Sequence, residues 1–273
     1  MKIAAAQIAC VPGEVETNLR TLERFAECAR EAGAELVVFP ELSDTGYEMT
    51  AVRRTAQAWT EGAVPRLRAL AQRLGLAILC GVSERVGGAI FNSQVLIDAF
   101  GEIASSYRKC HLFRAGTFDE GCALTAGDAL ASCDFGGFRL GLTICYDLRF
   151  PEVYRELATE QTVNVFINSS AWPFPRTEHL RVLALARAIE NQSYLVLANR
   201  VGTDAGPTFC GGSMIVDPAG TVLAEAGSER EELIAAELSP ETLREVRERM
   251  AVFAHRRSDL YGRGTGPNAG SRG

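Results

Sequence analysis

The sequence has few of the residues and spacings that mark a metalloprotein or a disulfide-bonded protein. It contains only three histidines, His111, His179 and His255. Its eight cysteines include no C-x-x-C pair, and several of them lie inside apolar runs. Zinc sites need a closer ligand spacing, and without an export signal reduced thiols are favoured over disulfides. We therefore expect no metal and no other cofactor.

An excess of basic charge and a long apolar run are also absent. The net charge is −6 at pH 7 and the lysines and arginines are scattered, which argues against nucleic acid as a partner. No apolar run approaches the length of about 18 residues that a membrane-spanning helix needs. The first residues, 1–7, enter a strand-like segment without a signal-peptide pattern. We expect a cytoplasmic protein that binds neither nucleic acid nor membrane.

What is present is the composition of a large globular domain. The chain has 273 residues, of which 47% are hydrophobic and 23% are charged, as in proteins with a sizeable core. No linker rich in serine and glycine divides it, so residues 1–261 are predicted to form a single domain. Residues 262–273 lack any large apolar side chain and are predicted to be a disordered tail.

Strand and helix patterns alternate along the chain in two similar halves. The first half predicts strand 2–9, helix 15–32, strand 35–39, helix 64–74 and strands 76–82, 90–98 and 102–108. The second half predicts strand 138–144, helix 152–160, strand 162–168, helix 177–191 and strands 194–199, 210–216, 221–226 and 232–237. Two such halves can pack sheet against sheet with their helices outside, which predicts a layered α/β sandwich.

One cysteine lies where reactive thiols are often found. Cys145 ends the apolar run 138–144 and precedes a charged turn, after which Pro151 opens a helix. Such a turn can present the sulfur at the mouth of a cleft. Its backbone N–H groups and the helix N-terminus favour a thiolate and a developing oxyanion there. Free cysteine is also among the most buried residue types, so the significance of Cys145 depends on its partners.

Two further ionisable residues lie at strand ends. Glu41 directly follows the proline that breaks a buried strand, and a partly desolvated carboxylate there has a raised pKa that suits a general base. In the segment 103–113, strand alternation puts Tyr107, Lys109 and His111 on one face. An ammonium group held in a cleft stabilises an oxyanion. Taken singly, a solvated loop glutamate and a surface lysine are the simpler interpretations.

Taken together, the glutamate, the lysine and the cysteine resemble the nitrilase superfamily of carbon–nitrogen hydrolases. The resemblance rests on the segments Phe39–Leu42, Tyr107–Lys109, Thr143–Glu152, Asn168–Pro173 and Arg187–Gln192. It runs from residue 1 to about residue 261. It implies a nitrilase-like α-β-β-α four-layer sandwich of two similar halves, and it is greatest for amidase-like branches, including the ω-amidases.

The resemblance implies a role for each of these residues. Glu41 is expected to be the general base and Cys145 the nucleophile that forms a thioester. Lys109, together with the backbone N–H of Tyr146, is expected to hold the oxyanion. Members of the family also carry a second glutamate shortly after the lysine. Glu120 is the candidate for this position, and its neighbour Asp119 is the rival.

Aromatic residues are expected to contact the substrate. Trp172 lies just past a predicted strand, where it would form a wall of the acyl pocket, and Tyr146 and Tyr47 are the other two candidates. Arg149, close behind Cys145, is expected to form an ion pair with a glutamate and so hold the turn.

These features predict an enzyme that hydrolyses a small carboxamide to the carboxylic acid and ammonia. An N-carbamoyl compound, which would release carbon dioxide as well, is the main alternative substrate. Two other classes stay open: a Cys–His hydrolase with His111 or His179 as base, and a catalytically silent binding module on the same fold. Because the superfamily commonly dimerises, a homodimer is expected.

Overall fold

The computed structural model describes residues 1–204 and 206–261, and its main feature is a pair of six-stranded sheets. The strands are β1 (Lys2–Gln7), β2 (Leu36–Val38), β3 (Ala77–Val86), β4 (Ala89–Ile97), β5 (Ile103–Arg108), β6 (Arg114–Ala115), β7 (Phe118–Asp119), β8 (Ala131–Phe135), β9 (Phe138–Ile144), β10 (Val165–Ser170), β11 (Tyr194–Asn199), β12 (Val201–Thr203), β13 (Thr208–Cys210), β14 (Met214–Val216), β15 (Val222–Glu225) and β16 (Glu232–Glu237). The helices are α1 (Val15–Glu31), α2 (Met49–Thr55), α3 (Ala63–Leu74), α4 (Pro151–Glu160), α5 (Thr177–Asn191) and α6 (Pro240–Arg249).

The two sheets share one strand arrangement. The first has the order β16-β1-β2-β3-β4-β5 and the second the order β15-β14-β11-β10-β9-β8. In each sheet three parallel strands, β1 to β3 or β9 to β11, continue into an antiparallel hairpin, β4–β5 or β14–β15. An antiparallel strand closes the other edge, β16 beside β1 and β8 beside β9. The predicted similarity of the two halves is confirmed.

Burial on both faces of the central strands produces four layers. In β1, Ile3 and Ala5 join the core cluster that also contains Leu142 of the second sheet. Ala4 and Ala6 face the other way and pack with α1 and α3. Because successive strand residues point to opposite faces, such strands are apolar along their whole length. The layers are therefore helices, sheet, sheet and helices, as expected.

One predicted strand is split in two. The sequence pattern indicates a continuous strand over 210–216, but β13 ends at Cys210 and pairs with β12 in a small separate ribbon. Strand β14 starts at Met214 and belongs to the second large sheet. Gly211 and Gly212 between them both have positive φ angles, which glycine adopts without steric cost and which interrupt the pairing.

Three elements lack a clear pattern in the sequence. Helix α2 has only seven residues, and α6 buries only Leu243, so neither shows a strong apolar stripe. Strand β8 has no fully buried residue. The tail predicted for 262–273 lies outside the described residues. Within 1–204 and 206–261, no helix is long and apolar enough to cross a membrane.

Candidate active site

Three charged side chains form a continuous hydrogen-bonded chain in the interior. The Nζ atom of Lys109 donates to Oε1 of Glu41 and to Oε1 of Glu120, both at 2.7 Å. All three side chains are fully buried. Burial alone would lower the pKa of Lys109, but the carboxylates of Glu120 and Glu41 outweigh it and hold that pKa above its ordinary value. One cation beside two carboxylates leaves the cluster with a net negative charge.

The carboxylate of Glu41 is held by donors from three directions. Besides Lys109, its Oε1 atom accepts from Nδ2 of Asn92 at 2.7 Å. Its Oε2 atom accepts from the backbone N–H of Ala171 at 2.8 Å. Burial raises the pKa of Glu41, while the charge of Lys109 opposes that rise. The side chain is therefore fixed in place, and its pKa lies above that of an exposed glutamate.

Glu120, and not Asp119, is the acidic residue that contacts Lys109. Its Oε1 atom also accepts from the hydroxyl of Tyr47 at 2.5 Å. Asp119 accepts from the N–H of Gly121 at 2.8 Å and lies 3.4 Å from Arg114. Its backbone is extended, so adjacent side chains there point to opposite sides.

Cys145 opens a 3₁₀ turn of residues 145–149 directly after β9. Its φ of 42° lies in the left-handed region, which costs a residue other than glycine about 1–2 kcal/mol. Burial raises the pKa of the thiol, the negative charge of Glu41 raises it further, and Lys109 acts in the opposite direction.

The environment of Cys145 therefore favours the thiol over the thiolate, opposite to the effect expected of the turn and the helix N-terminus. The physical reasons are the desolvation of the sulfur and the excess of carboxylate charge around it. In addition, the 3₁₀ turn separates Cys145 from α4, which begins at Pro151.

A pocket that is open to solvent lies beside Cys145. Its lining consists of Tyr47, Phe113, Cys145, Tyr146, Arg149, Ala171, Trp172, Pro173 and Arg176. The structure thus brings together the three aromatic residues that the sequence analysis selected for substrate contact. The ring of Phe113 adds a fourth aromatic group and packs edge-on against Tyr146, with 5.1 Å between ring centroids. The pocket suits a small molecule that is partly flat or apolar.

Arg149 and Arg176 bring two positive charges to this pocket. Within 1–204 and 206–261 neither guanidinium forms an ion pair with a carboxylate, so the expected pairing of Arg149 with a glutamate is not found. Arg149 instead lies 4.7 Å from the ring centroid of Trp172, and its Nη2 atom lies 3.3 Å from Nδ1 of His179. Arg176 lies 5.6 Å from the ring of Phe113. Burial and the charge of Arg176 lower the pKa of Arg149.

Sequence reasoning missed Asn92 as a residue of the site, and it favoured a solvated helix start for Arg176 over the place in the pocket lining that the structure gives it. Asn92 begins the polar run Asn92–Gln94 inside the otherwise apolar strand β4, and this run is a signal that could have been used. Arg176 precedes α5 in a loop, where an arginine is ordinary. Among the described residues, no group of three His, Cys, Asp or Glu side chains could hold a metal ion.

The arrangement combines a thiol that lines a pocket with a buried carboxylate and a buried ammonium group close behind it. Such a combination provides a nucleophile, a group that can accept its proton and a fixed positive charge. These are the requirements of acyl transfer through a covalent intermediate.

Known proteins with similar sequences support the same chemistry. A family model described as carbon-nitrogen hydrolase matches residues 2–248. A 2-oxoglutaramate amidase from Bacillus subtilis (strain 168) is 37% identical over 250 residues, which cover 91% of this chain and 95% of that protein. An omega-amidase from Escherichia coli (strain K12) is 33% identical over 254 residues, which cover 93% and 95% of the two chains.

A solved structure agrees with both the fold and the role of a cysteine. It shows a mutant of an amidase from Nesterenkonia sp. AN1 with the acetamide moiety of fluoroacetamide added covalently at the active-site cysteine. Its TM-score is 0.84 at 30% sequence identity, and the match covers 96% of this chain and 95% of that one. The protein therefore belongs to the carbon–nitrogen hydrolase family, as an enzyme of the amidase-like branch of the nitrilase superfamily with an active-site cysteine.

Proposed function

We propose that this enzyme hydrolyses a small carboxamide that carries a carboxylate at its far end, and that it releases the acid and ammonia through a thioester on Cys145. The observation that carries the reaction is the buried Glu41–Lys109–Glu120 chain beside the thiol. The relatives named as a 2-oxoglutaramate amidase and an omega-amidase support this class of substrate.

In the first step the sulfur of Cys145 attacks the amide carbon while Glu41 accepts the thiol proton. The raised pKa of the thiol makes a base necessary, and the raised pKa of Glu41 lets its carboxylate hold that proton near neutral pH. A sulfur–carbon bond forms as the carbonyl oxygen gains negative charge. The carbon–nitrogen bond then breaks, and ammonia leaves with the proton from Glu41.

Lys109 is suited to hold the developing oxyanion. An ammonium group has three N–H donors, and two of them are directed at Glu41 and Glu120. The third donor is free for the carbonyl oxygen, together with the backbone N–H of Tyr146. Glu120 and its partner Tyr47 keep the ammonium group oriented.

The second step returns the enzyme to its starting state. Glu41 removes a proton from a water molecule, and the resulting hydroxide attacks the thioester carbon. The carbon–sulfur bond breaks, the acid is released, and the sulfur of Cys145 regains a proton. One carboxylate thus acts as base in both steps and as acid when each leaving group departs.

The two pocket arginines support a carboxylate on the substrate. A carboxylate between Arg149 and Arg176 would offset the repulsion between two like charges that share a partly buried space. Guanidinium groups bind carboxylates through paired, charge-assisted hydrogen bonds. The aromatic walls would contact the carbon chain between the carboxylate and the amide.

Ammonia release from a monoamide of a short dicarboxylic acid, compared with a neutral amide of equal length, tests the proposal. The wild type should prefer the charged substrate. Arg149→Met and Arg176→Met should each raise its KM by about 10- to 100-fold, since a hydrogen bond to a charged group contributes about 1.5–3 kcal/mol, and leave the neutral amide unaffected. Equal use of both amides by the wild type would exclude the carboxylate.

The products and the trapped intermediate distinguish the alternatives. Mass spectrometry of a quenched reaction should show the acyl group on Cys145, and Cys145→Ala should abolish ammonia release. Carbon dioxide appearing with the ammonia would instead support an N-carbamoyl substrate. A failure of the wild type to turn over any amide would support the silent binding module.

A homodimer is also proposed, with contacts through the outer face of α5. Val182 and Ile189 on this helix are 58% and 51% exposed, and Leu223 on the nearby strand β15 is 41% exposed. Exposed apolar residues that lie close together are typical of protein interfaces. Sedimentation equilibrium should give a dimer mass for the wild type and a lower mass for Val182→Glu/Ile189→Glu. A monomeric wild type would contradict this proposal.

A cytoplasmic location is proposed as well. All eight cysteines are free thiols, which agrees with a reducing compartment. Cell fractionation should recover the enzyme with cytoplasmic markers, and recovery with an exported marker would contradict the proposal.

A further inference from the structure

Asp147, two residues after Cys145, accepts four hydrogen bonds from two separate segments. Its Oδ2 atom accepts from the N–H of Ile144 at 2.9 Å and from the hydroxyl of Tyr107 at 2.8 Å. Its Oδ1 atom lies 3.3 Å from the backbone N–H of His111 and 2.8 Å from the ring nitrogen Nδ1. Because an ionised carboxylate only accepts, Nδ1 carries the proton in this contact. The Asp147 side chain is fully buried.

The donors come from the two segments that carry the proposed chemistry. Tyr107 and His111 lie two residues before and two residues after Lys109, so the carboxylate is bonded on both sides of the lysine. Ile144 directly precedes Cys145. One buried side chain therefore joins the segment of the oxyanion-binding ammonium group to the turn of the nucleophile.

This link has a mechanistic consequence because the turn of Cys145 is not held in place by its own backbone alone. Cys145 has a left-handed φ, a conformation that persists only when its surroundings enforce it. The backbone of Lys109 is held by hydrogen bonds of its N–H to the carbonyl oxygen of Asn92 and of its carbonyl oxygen to the N–H of Gly127, so Asp147 joins the turn of Cys145 to an anchored segment. A misplacement of about 1 Å between reacting groups can reduce a rate about 100-fold.

We propose that Asp147 and His111 are positioning residues for the reaction. The Tyr107–Asp147–His111 clamp, defined by these three side chains, sets the distance between the Lys109 ammonium group and the Cys145 sulfur without touching the substrate. His111 is not among the residues that line the pocket. Its ring stacks on Phe150, with ring centroids 3.8 Å apart and an interplanar angle of 15°. The clamp rests on the proposed function, because it assumes that Lys109 and Cys145 act on the same carbonyl group.

Two substitutions of His111 separate the hydrogen bond from the stacking. In His111→Asn, the amide Nδ2 stands the same number of bonds from Cβ as Nδ1 of histidine, so the donor is kept and the ring is lost. In His111→Phe, the ring on Phe150 is kept and the donor is lost. We expect kcat of His111→Phe to fall about tenfold with KM unchanged, and His111→Asn to stay within about twofold of wild type, as for loss of one hydrogen bond to a charged group.

Asp147→Asn provides a stronger perturbation of the clamp. Both oxygens of the carboxylate accept two donors each, so whichever way the amide is turned, its NH₂ group faces two N–H or O–H donors. We expect kcat to fall by about 100-fold or more, consistent with the loss expected for misplaced reacting groups. Tyr107→Phe should have a smaller effect, because it removes one donor and keeps the ring.

Each other outcome for the His111 pair contradicts the clamp in a different way. If His111→Asn and His111→Phe both had the activity of the wild type while Cys145→Ala was inactive, the clamp would be refuted and the proposed function would remain intact. Loss of activity in parallel with thermal stability in both variants would indicate a purely structural role. Abolished activity in both variants, together with thioester formation by Glu41→Gln, would make His111 the general base and overturn the proposed mechanism as well.

Discussion

Two buried cysteines follow equivalent strands of the two sheets, and only one of them lines the pocket. Cys145 comes directly after β9, and Cys10 comes three residues after β1, the first parallel strand of the other half. Each thiol lies near one cation and two carboxylates. These groups are Lys109, Glu41 and Glu120 for Cys145, and Arg200, Asp204 and Asp44 for Cys10. Burial raises the pKa of both thiols, that of Cys10 to about 11.

The charges around Cys10 are bonded to one another or to backbone atoms. Arg200 donates to both carboxylate oxygens of Asp204 at 3.0 Å and to the carbonyl oxygen of Cys10 at 2.7 Å. The Asp44 carboxylate accepts from the N–H and the hydroxyl of Ser83. This cluster has the composition of a site, and within the described residues Nε of Arg200 has no hydrogen-bond partner, but most of its hydrogen bonds join parts of the structure to one another.

The cluster around Cys145 differs in its access to a pocket. Lys109 directs two of its three donors at carboxylates, so one remains for a substrate oxygen. The thiol of Cys145 lines the pocket described above, and Cys10 is not among the residues of that lining. The comparison shows that a buried thiol with charged neighbours is not sufficient for a site. Access of a substrate to the sulfur is needed as well.

The largest expected effect is the difference in kcat between the variants that remove the thiol of Cys145 and the thiol of Cys10. Cys145→Ala should reduce kcat by roughly 10⁵-fold or more, as does loss of the nucleophile in other covalent hydrolases. Cys10→Ala should keep wild-type kcat and lower the free energy of unfolding by about 1 kcal/mol, because it leaves a small cavity. Ammonia release and urea denaturation measure the two effects. A comparable loss of kcat in Cys10→Ala would remove the distinction between the two clusters.

Removal of the buried cation from each cluster, Lys109 or Arg200, separates the effect on stability from the effect on turnover. Lys109→Met and Arg200→Met should both lower the free energy of unfolding by about 3–5 kcal/mol, because each leaves buried carboxylate charge uncompensated. Only Lys109→Met should also abolish turnover by the protein that remains folded. Urea denaturation gives the stability, and ammonia release below the unfolding transition gives the activity. Turnover by folded Lys109→Met would contradict its role at the oxyanion.

The pH dependence of kcat/KM compares the two carboxylates nearest in sequence, Glu41 and Asp44. Glu41 must be ionised to accept the thiol proton, so activity is present above its pKa and is lost as the pH falls through it. Since burial raises that pKa from 4.5, the acid limb should lie above pH 4.5. Burial also raises the pKa of Asp44, to about 6, so Asp44→Asn is the control and should leave the limb in place. If Asp44→Asn shifted the acid limb of the pH profile, the limb would report the ionisation of Asp44, and its assignment to Glu41 would be wrong.

Local patterns were sufficient to predict much of the fold and the identity of the main site residues. The helix over 15–32 and the strand over 138–144 follow from apolar spacing, and the structure has them at Val15–Glu31 and Phe138–Ile144. Alternation over 107–111 puts Tyr107, Lys109 and His111 on one face, and all three side chains form hydrogen bonds to buried acidic residues. These features depend on neighbours a few residues apart.

The contacts that complete the site could not be predicted in this way. Asn92 meets Glu41 across 51 residues, Tyr47 meets Glu120 across 73, and the N–H of Ala171 meets Glu41 across 130. An ion pair of Arg149 with a glutamate was predicted because a guanidinium group commonly binds a carboxylate. In the structure Arg149 instead lies over the ring of Trp172, in the same pocket as a second arginine. No local spacing encodes which strand ends share an edge.

The sequence by itself determined which residue types stand at which strand ends, because the period of apolar residues and the turn-forming prolines act over short distances. It thereby identified a nucleophile, a base and a cation for one reaction. The tertiary structure alone decided that Glu41 and Lys109 form one buried chain near Cys145, that burial raises the pKa of the thiol and that Lys109 directs only two of its three donors at carboxylates. The physical reason is that burial, charge coupling and hydrogen-bond geometry depend on groups brought together from distant parts of the chain.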